Sequence, residues 1–293
     1  MTVCIAATFQ WNYGTDDAPE WGAAIVAASD RMQTAGDLEY EAPRRKICHI
    51  AEKVVIFVSG EIPIHSEAIL KLIKHLLVSK ETEVPKIAEL YGGFISDYRL
   101  KQAETLYLSP IGLDRDSFIT RQNEMSPTFI SDITRQMQNH RVDAEAIVCG
   151  IDNIGTHILH VDCDGFCTYQ NDRSFVSIGI GYHHANSWLM AEGYSDTWSM
   201  RQAIFAVYAA KKRGEAAPGV GKATDVHLIT KMGVSLLIPD LFGRLEGSFQ
   251  AYLAEHHQSV EAAIARLKIE AEASPADVSA PIGPEDEASA PAS

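Results

Sequence analysis

The sequence predicts an α+β fold, a four-layer αββα sandwich with two antiparallel sheets between helix layers. Three observations carry this reading. Strand-like runs come in two groups, each followed by helical periodicity, instead of alternating one by one. Several of those runs are apolar on both faces, as sheets covered on both sides require. Apolar residues make up 46% of 293, enough to fill a core of that size.

The elements follow in order. Thr2–Phe9 and Ala23–Ser29 are apolar runs read as strands. Between them, Gln10–Gly22 carries Asn-Tyr-Gly, Asp-Asp and a proline, which reads as a loop. Val54–Ser59 is β-branched and aromatic, the strongest strand signal in the chain. The period then changes. Ile69, Leu72, Ile73, Leu76 and Leu77 fall on one face of a helix beginning near Ser66. Pro85–Leu106 is a second helix, and Met125–His140 a third, with Ser126-Pro127 as N-cap and first-turn proline. Strands return at Ala146–Ile151, His157–Asp162, Phe166–Tyr169 and Phe175–Ile180, separated by Asp/Asn/Gly turns. Helices follow at His184–Glu192 and Ser199–Arg213, the second ending on Lys211, Lys212 and Arg213 as the macrodipole favours. Asp225–Thr230 and Val234–Ile238 form a hairpin, and Pro239–Ile269 a last helix. From Ala273 to Ser293 there are four prolines, four acidic residues and no aromatic. Such a stretch buries too little apolar surface to offset its ordering entropy. The expectation is one domain over residues 1–270 and a disordered acidic tail over 271–293.

Lys plus Arg is 25 and Asp plus Glu is 39, a formal charge of −14. That sign argues against non-specific binding to nucleic acid or to anionic membranes. No apolar run approaches the ~20 residues of a spanning helix, and the N-terminus lacks the basic start of a secretory signal. Five cysteines without a C-x-x-C step fit a reducing compartment, so a cytoplasmic location is expected.

Several motifs fail on inspection. Ala216–Ala223 reads A-A-P-G-V-G-K-A, but a phosphate loop needs Gly where Ala216 stands and Ser or Thr where Ala223 stands. His183-His184 and His256-His257 are adjacent pairs, and adjacent positions on a helix point apart. No ligand set stands at metal spacing, and neither a metal nor a cofactor is expected.

One constellation survives: Thr2, Asp30, Thr34, Lys46 and Gly60. It sits in the segments Ala-Ala-Ser-Asp30-Arg31-Met32-Gln33-Thr34, Arg44-Arg45-Lys46-Ile47-Cys48-His49-Ile50 and Ser59-Gly60-Glu61. Their order and spacing resemble the proteasome β-type subunits of the N-terminal nucleophile hydrolase superfamily, over about residues 2–235. Later segments agree, among them Gly179-Ile180-Gly181 and Asp225-Val226-His227-Leu228-Ile229-Thr230. Within that family the chain looks like the divergent bacterial proteasome-like proteins, with a loop at about Gln10–Trp21 that is extra to the family.

The resemblance implies a threonine-type peptidase or amidase. A threonine hydroxyl is a weak nucleophile that needs a base. When threonine is the first residue its own amine can serve, with an unperturbed pKa of about 7.7–8.0. Thr2 would be nucleophile and, once Met1 is removed, base. Lys46 would stabilise the deprotonated hydroxyl, Asp30 would orient Lys46, and the Gly60 N–H would hold the oxyanion. Thr34 would bind an extended peptide through its backbone, with Gln33, Val58 and Ile62 bordering the side-chain pocket. The implied partners are a peptide or unfolded-protein substrate and further copies of the chain in a ring or spiral. The second helix would present Gly92, Gly93, Phe94, Ile95 and Tyr98 to a neighbour.

The chain differs from the family at three places. Ile180 stands where the family has a supporting serine, and Met32 where it has an arginine. Gly214–Pro218 replaces an Asp and a Ser that buttress the amine, leaving Glu215 as the nearest substitute. A silent scaffold that keeps the fold and the ring is therefore the alternative reading. An acidic α/β binding module is a third.

Overall fold

The computed structural model describes residues 2–15, 17–35, 38–41 and 46–266. The chain is a mixed α+β protein built on antiparallel sheets. In order, the described residues form β1 (Cys4–Asn12), β2 (Trp21–Asp30), β3 (Met32–Ala35), β4 (Leu38–Glu41), β5 (Ile47–Ala51) and β6 (Val54–Gly60). Then come α1 (Ile62–Ser79), α2 (Val84–Tyr107), α3 (Arg115–Thr120) and α4 (Pro127–Asn139). Next are β7 (Ala144–Ile151), β8 (Thr156–Val161), β9 (Cys167–Tyr169) and β10 (Phe175–Ile178). The chain continues through α5 (Tyr182–Ala191), α6 (Met200–Gly214), β11 (Thr224–Thr230), β12 (Gly233–Leu236) and α7 (Pro239–Arg266).

One five-stranded sheet runs β10-β1-β2-β11-β12 and another β5-β6-β7-β8-β9, while β3 and β4 pair alone. Strand alternation turns one face of each large sheet toward a shared cluster. Cys4, Ala6, Ile25, Ala27, Ile178 and Ile229 come from the first sheet, and Val55, Phe57, Ile147, Cys149 and Ile158 from the second. The next residues along the second sheet, Val54, Ile56, Ala146 and Val148, pack with Ile64, Leu72, Ile87 and Tyr91 of α1 and α2. The first sheet meets α6 along β1 and β2. β1 and β2 are therefore covered on both faces over their buried runs and can be apolar there.

Most elements fall where the sequence places them, but β3, β4, β5 and α3 are additional, and three expectations are corrected. The expected loop over Gln10–Gly22 is shorter, because β1 and β2 stay paired to Asn12↔Trp21. Helix α1 starts at Ile62, not near Ser66, with Pro63 in its first turn. Pro63 lacks an N–H that would have gone unused there anyway. Gly92 and Ile95 are not available to a neighbour: both are buried, and a side chain on Gly92 would run into the Gly165 carbonyl. Lys211, Lys212 and Arg213 do occupy the last turn of α6, and Lys211 is fully buried there. Helix α4 carries the expected cap, Ser126 accepting from the Phe129 N–H at 3.3 Å. With α3 it closes a small core of Leu108, Phe118 and Ile133.

The chain divides into two compact units, Met1–Leu245 and Glu246–Ser293. The described part of the second is the remainder of α7, where Tyr252 stacks on His256 and His257 meets Glu261 at 3.2 Å. The tail expected over 271–293 lies outside the described residues.

Candidate active site

The end of β2 delivers Asp30 into the interior with no exposed surface. A bare carboxylate there would be costly, so its oxygens must be occupied. They are. Oδ1 accepts the Val3 N–H at 3.0 Å, and Oδ2 accepts the N–H groups of Met32 at 2.9 Å and Gly221 at 3.0 Å. The Lys46 ammonium lies 3.0 and 3.1 Å from the two oxygens. The same Nζ donates to the hydroxyl of Thr2. Thr2, Asp30 and Lys46, spread over 45 residues of sequence, thus form one buried chain: carboxylate, ammonium, hydroxyl. Thr2 is 3% exposed and Lys46 9%.

Thr2 is fixed from its backbone side as well. Its carbonyl accepts the Gly181 N–H at 3.2 Å. Gly179 holds φ +82°, and any Cβ there would strike that carbonyl. Glycine is thus required at 179 twice over, by conformation and by space. Gly60 ends β6 with φ +107°, where a Cβ would land on the Asp143 carbonyl. The following N–H, of Glu61, donates to that same carbonyl at 2.7 Å.

The remaining predicted residues are placed less tightly. Val58 donates its N–H to the Lys46 carbonyl at 3.3 Å, and its side chain packs, half-buried, on the α1–α2 side of the sheet. Ile62 opens α1 and is half exposed. Gln33 accepts from the Tyr40 hydroxyl across the β3–β4 pair at 3.1 Å. Thr34 sits opposite Glu39 in that pair. Among the described residues this sheet has two strands, so β3 is paired there along one edge.

Other parts of the site carry no side-chain signature. Val3 and Met32 act through backbone N–H groups, and so does Gly221. The failed phosphate-loop text is the source of the last. Its Gly221 N–H binds Asp30, while the Lys222 and Ala223 N–H groups bind the Glu41 carboxylate at 2.5 and 2.7 Å. A run of N–H donors holds anions here, but the anions are the protein's own carboxylates. Lys211 Nζ ties the loop down through the Gly221 and Lys222 carbonyls at 2.8 and 3.0 Å. Glu215, the substitute the sequence offers for the missing buttress, makes ion pairs elsewhere. It is bound to Lys211 at 2.6 Å and to Lys212 at 3.0 Å. Ile180 is exposed beside the Gly179 turn. Burial pushes the Lys211 ammonium below its ordinary value, against the Glu215 contact. It also raises the Cys4 thiol, whose Sγ points at the Val58 carbonyl.

No family model matches the chain, and a search of curated proteins returns no match. Among the described residues no group of three or more His, Cys, Asp or Glu could hold a metal ion. Among them, too, no helix is long and apolar enough to cross a membrane.

Proposed function

We propose that the chain is a threonine-type N-terminal nucleophile hydrolase, with the four-layer αββα arrangement of proteasome-like proteins. The observation that carries this is the Lys46 ammonium placed between the Thr2 hydroxyl and the Asp30 carboxylate in a buried site. An ammonium donates and cannot take the hydroxyl proton, so Lys46 stabilises the alkoxide and the base must be another group. Removal of Met1 would supply it as the Thr2 amine. The hydroxyl then attacks a peptide or amide carbonyl, and the amine takes the proton and passes it to the leaving amine. The acyl ester on Thr2 is released by water activated by the same amine. The Gly60 N–H stabilises the oxyanion in both halves. The open edge of β3 suits an extended peptide, and a ring or spiral of copies would enclose the sites.

The test is intact mass combined with labelling by an epoxyketone directed at N-terminal threonine. The reading requires a chain beginning at Thr2 and a single adduct, lost in Thr2→Ala. A chain beginning at Thr2 that takes no adduct and hydrolyses no peptide favours the silent scaffold instead. That second reading has its own observation: Glu215 is committed to Lys211 and Lys212, and Ile180 offers the Thr2 end no polar group.

A further inference from the structure

The Gly60 N–H belongs to the Ser59–Gly60 peptide, and the other side of that peptide is gripped by two buried side chains. His65, on α1, places Nε2 at 2.8 Å from the Ser59 carbonyl oxygen. Its Nδ1 lies 2.6 Å from the hydroxyl of Tyr91, on α2. His65 is 3% exposed and Tyr91 fully buried, with the two rings stacked 7° from parallel. The protons can be assigned from the partners. A carbonyl only accepts, so Nε2 carries the ring proton, and Nδ1 then accepts from the Tyr91 O–H. Burial favours this neutral state, since it pulls the imidazole below its ordinary value and pushes the phenol up.

We propose that His65 and Tyr91 are positioning residues for the Gly60 N–H as oxyanion donor. The inference rests on the hydrolase reading above. The C=O and N–H of a trans peptide point in opposite directions, and the described residues contain no cis bond. Fixing the Ser59 carbonyl therefore fixes the line of the Gly60 N–H. The chain Tyr91 O–H, His65 N–H, Ser59 C=O also polarises that peptide, which makes its N–H a stronger donor. The far side is pinned separately, by the Glu61 N–H on Asp143. Tyr91 belongs to an apolar cluster with Ile64, Ala68, Leu72, Ile87, Ala88 and Ile95, and the charge that reaches His65 is that of Asp143. A buried imidazole costs desolvation that a leucine would not, so packing alone does not account for it.

Ser59–Gly60 is the only Ser-Gly step in the sequence. Carbonyl-13C serine and 15N glycine, introduced by cell-free synthesis of the full chain, therefore isolate one amide in an NMR spectrum. In His65→Phe the Gly60 amide should shift, and the rate of epoxyketone adduct formation, whose first step adds the Thr2 hydroxyl to the ketone, should fall about tenfold or more with little change in reagent affinity. Loss of an oxyanion donor itself costs on the order of 10²–10³. His65→Gln offers an amide N–H at the place of Nε2 and should recover both readouts. Tyr91→Phe removes one oxygen and should move both part-way. An unmoved amide, or an unchanged rate of adduct formation in an enzyme that reacts, overturns the proposal. Should His65→Phe fail to fold, Tyr91→Phe decides by the same criteria. If the wild type takes no adduct while the amide still moves in His65→Phe and returns in His65→Gln, the peptide-orienting role stands and only the hydrolase reading is lost.

Discussion

The Gly221 N–H donates to Asp30 across 191 residues of sequence, at 3.0 Å. It joins the loop after α6 to the end of β2, and through Asp30 to Lys46 and Thr2. The loop is in turn held by Lys211, so the setting of Thr2 depends on a lysine far from it in the chain.

Asp30→Ala should be among the most damaging single changes. It strands the Lys46 ammonium and leaves the N–H groups of Val3, Met32 and Gly221 without their carboxylate. Breaking a buried ion pair costs roughly 3–5 kcal/mol, chiefly from the charge left behind. Denaturant unfolding should show a loss of that order, and epoxyketone labelling should vanish. A midpoint near the wild type would mean that the interior carboxylate holds little together.

Gly60→Ala should destabilise through its backbone. An L-residue at φ +107° is strained by about 1–3 kcal/mol, and its methyl would meet the Asp143 carbonyl. β6 must shift to make room, which moves the donor N–H. A thermal melt should fall clearly, with epoxyketone labelling reduced further than stability explains. Wild-type behaviour in both would show that the strand end is loose.

His65 predicts a pH dependence with a definite sign. Its pKa in the folded protein is lowered by burial, with the Asp143 charge opposing. As pH falls below about 6.5, the unfolded chain takes a proton that the folded one refuses. Stability should then decline, by up to about 1.4 kcal/mol per pH unit, until the folded pKa is reached. Above pH 7.5 neither state binds the proton and the effect is gone. His65→Gln cannot titrate, so the difference between the two proteins from pH 7.5 to 5 isolates this group. Parallel curves would contradict it.

How much of this was legible in the sequence depends on what each part is made of. Val54–Gly60 is β-branched and buried, so pattern alone finds it. β5 is half polar, with Cys48 and His49, and becomes a strand only because β6 lies beside it. Gln10 and Asn12 look like loop residues but are carried into β1 by pairing with Ala23 and Trp21. Asp30 and Lys46 were found by resemblance, their spacing standing in for a geometry that the residues alone do not declare. The Val3, Met32 and Gly221 contacts are backbone N–H groups, which any residue but proline would offer. His65 and Tyr91 lie on different helices, and nothing in either helix announces the other. Gly92 and Ile95 were misplaced for the same reason: the sequence shows an apolar stripe but not that the Gly165 turn covers part of it.

The contact between Lys46 and Thr2 gives the most direct prediction for chemistry. In Lys46→Met the Thr2 hydroxyl loses its cationic donor, while Asp30 keeps its three backbone N–H groups. The fold should weaken but persist, because those N–H groups carry part of the carboxylate's charge. Adduct formation has no such reserve. The alkoxide must form without a neighbouring positive charge, and the rate should fall at least about 10²-fold, the lower end of what losing one electrostatic stabiliser costs. Thr2→Ser retains hydroxyl and amine and should still react, whereas Thr2→Ala should not. The measurements are adduct formation by intact mass against time and, in parallel, the melting temperature. If Lys46→Met labels as fast as wild type, Lys46 serves only to neutralise Asp30. If native protein retains Met1, the Thr2 nitrogen is an amide and no base, and the short path from Lys46 to Thr2 then serves the fold alone.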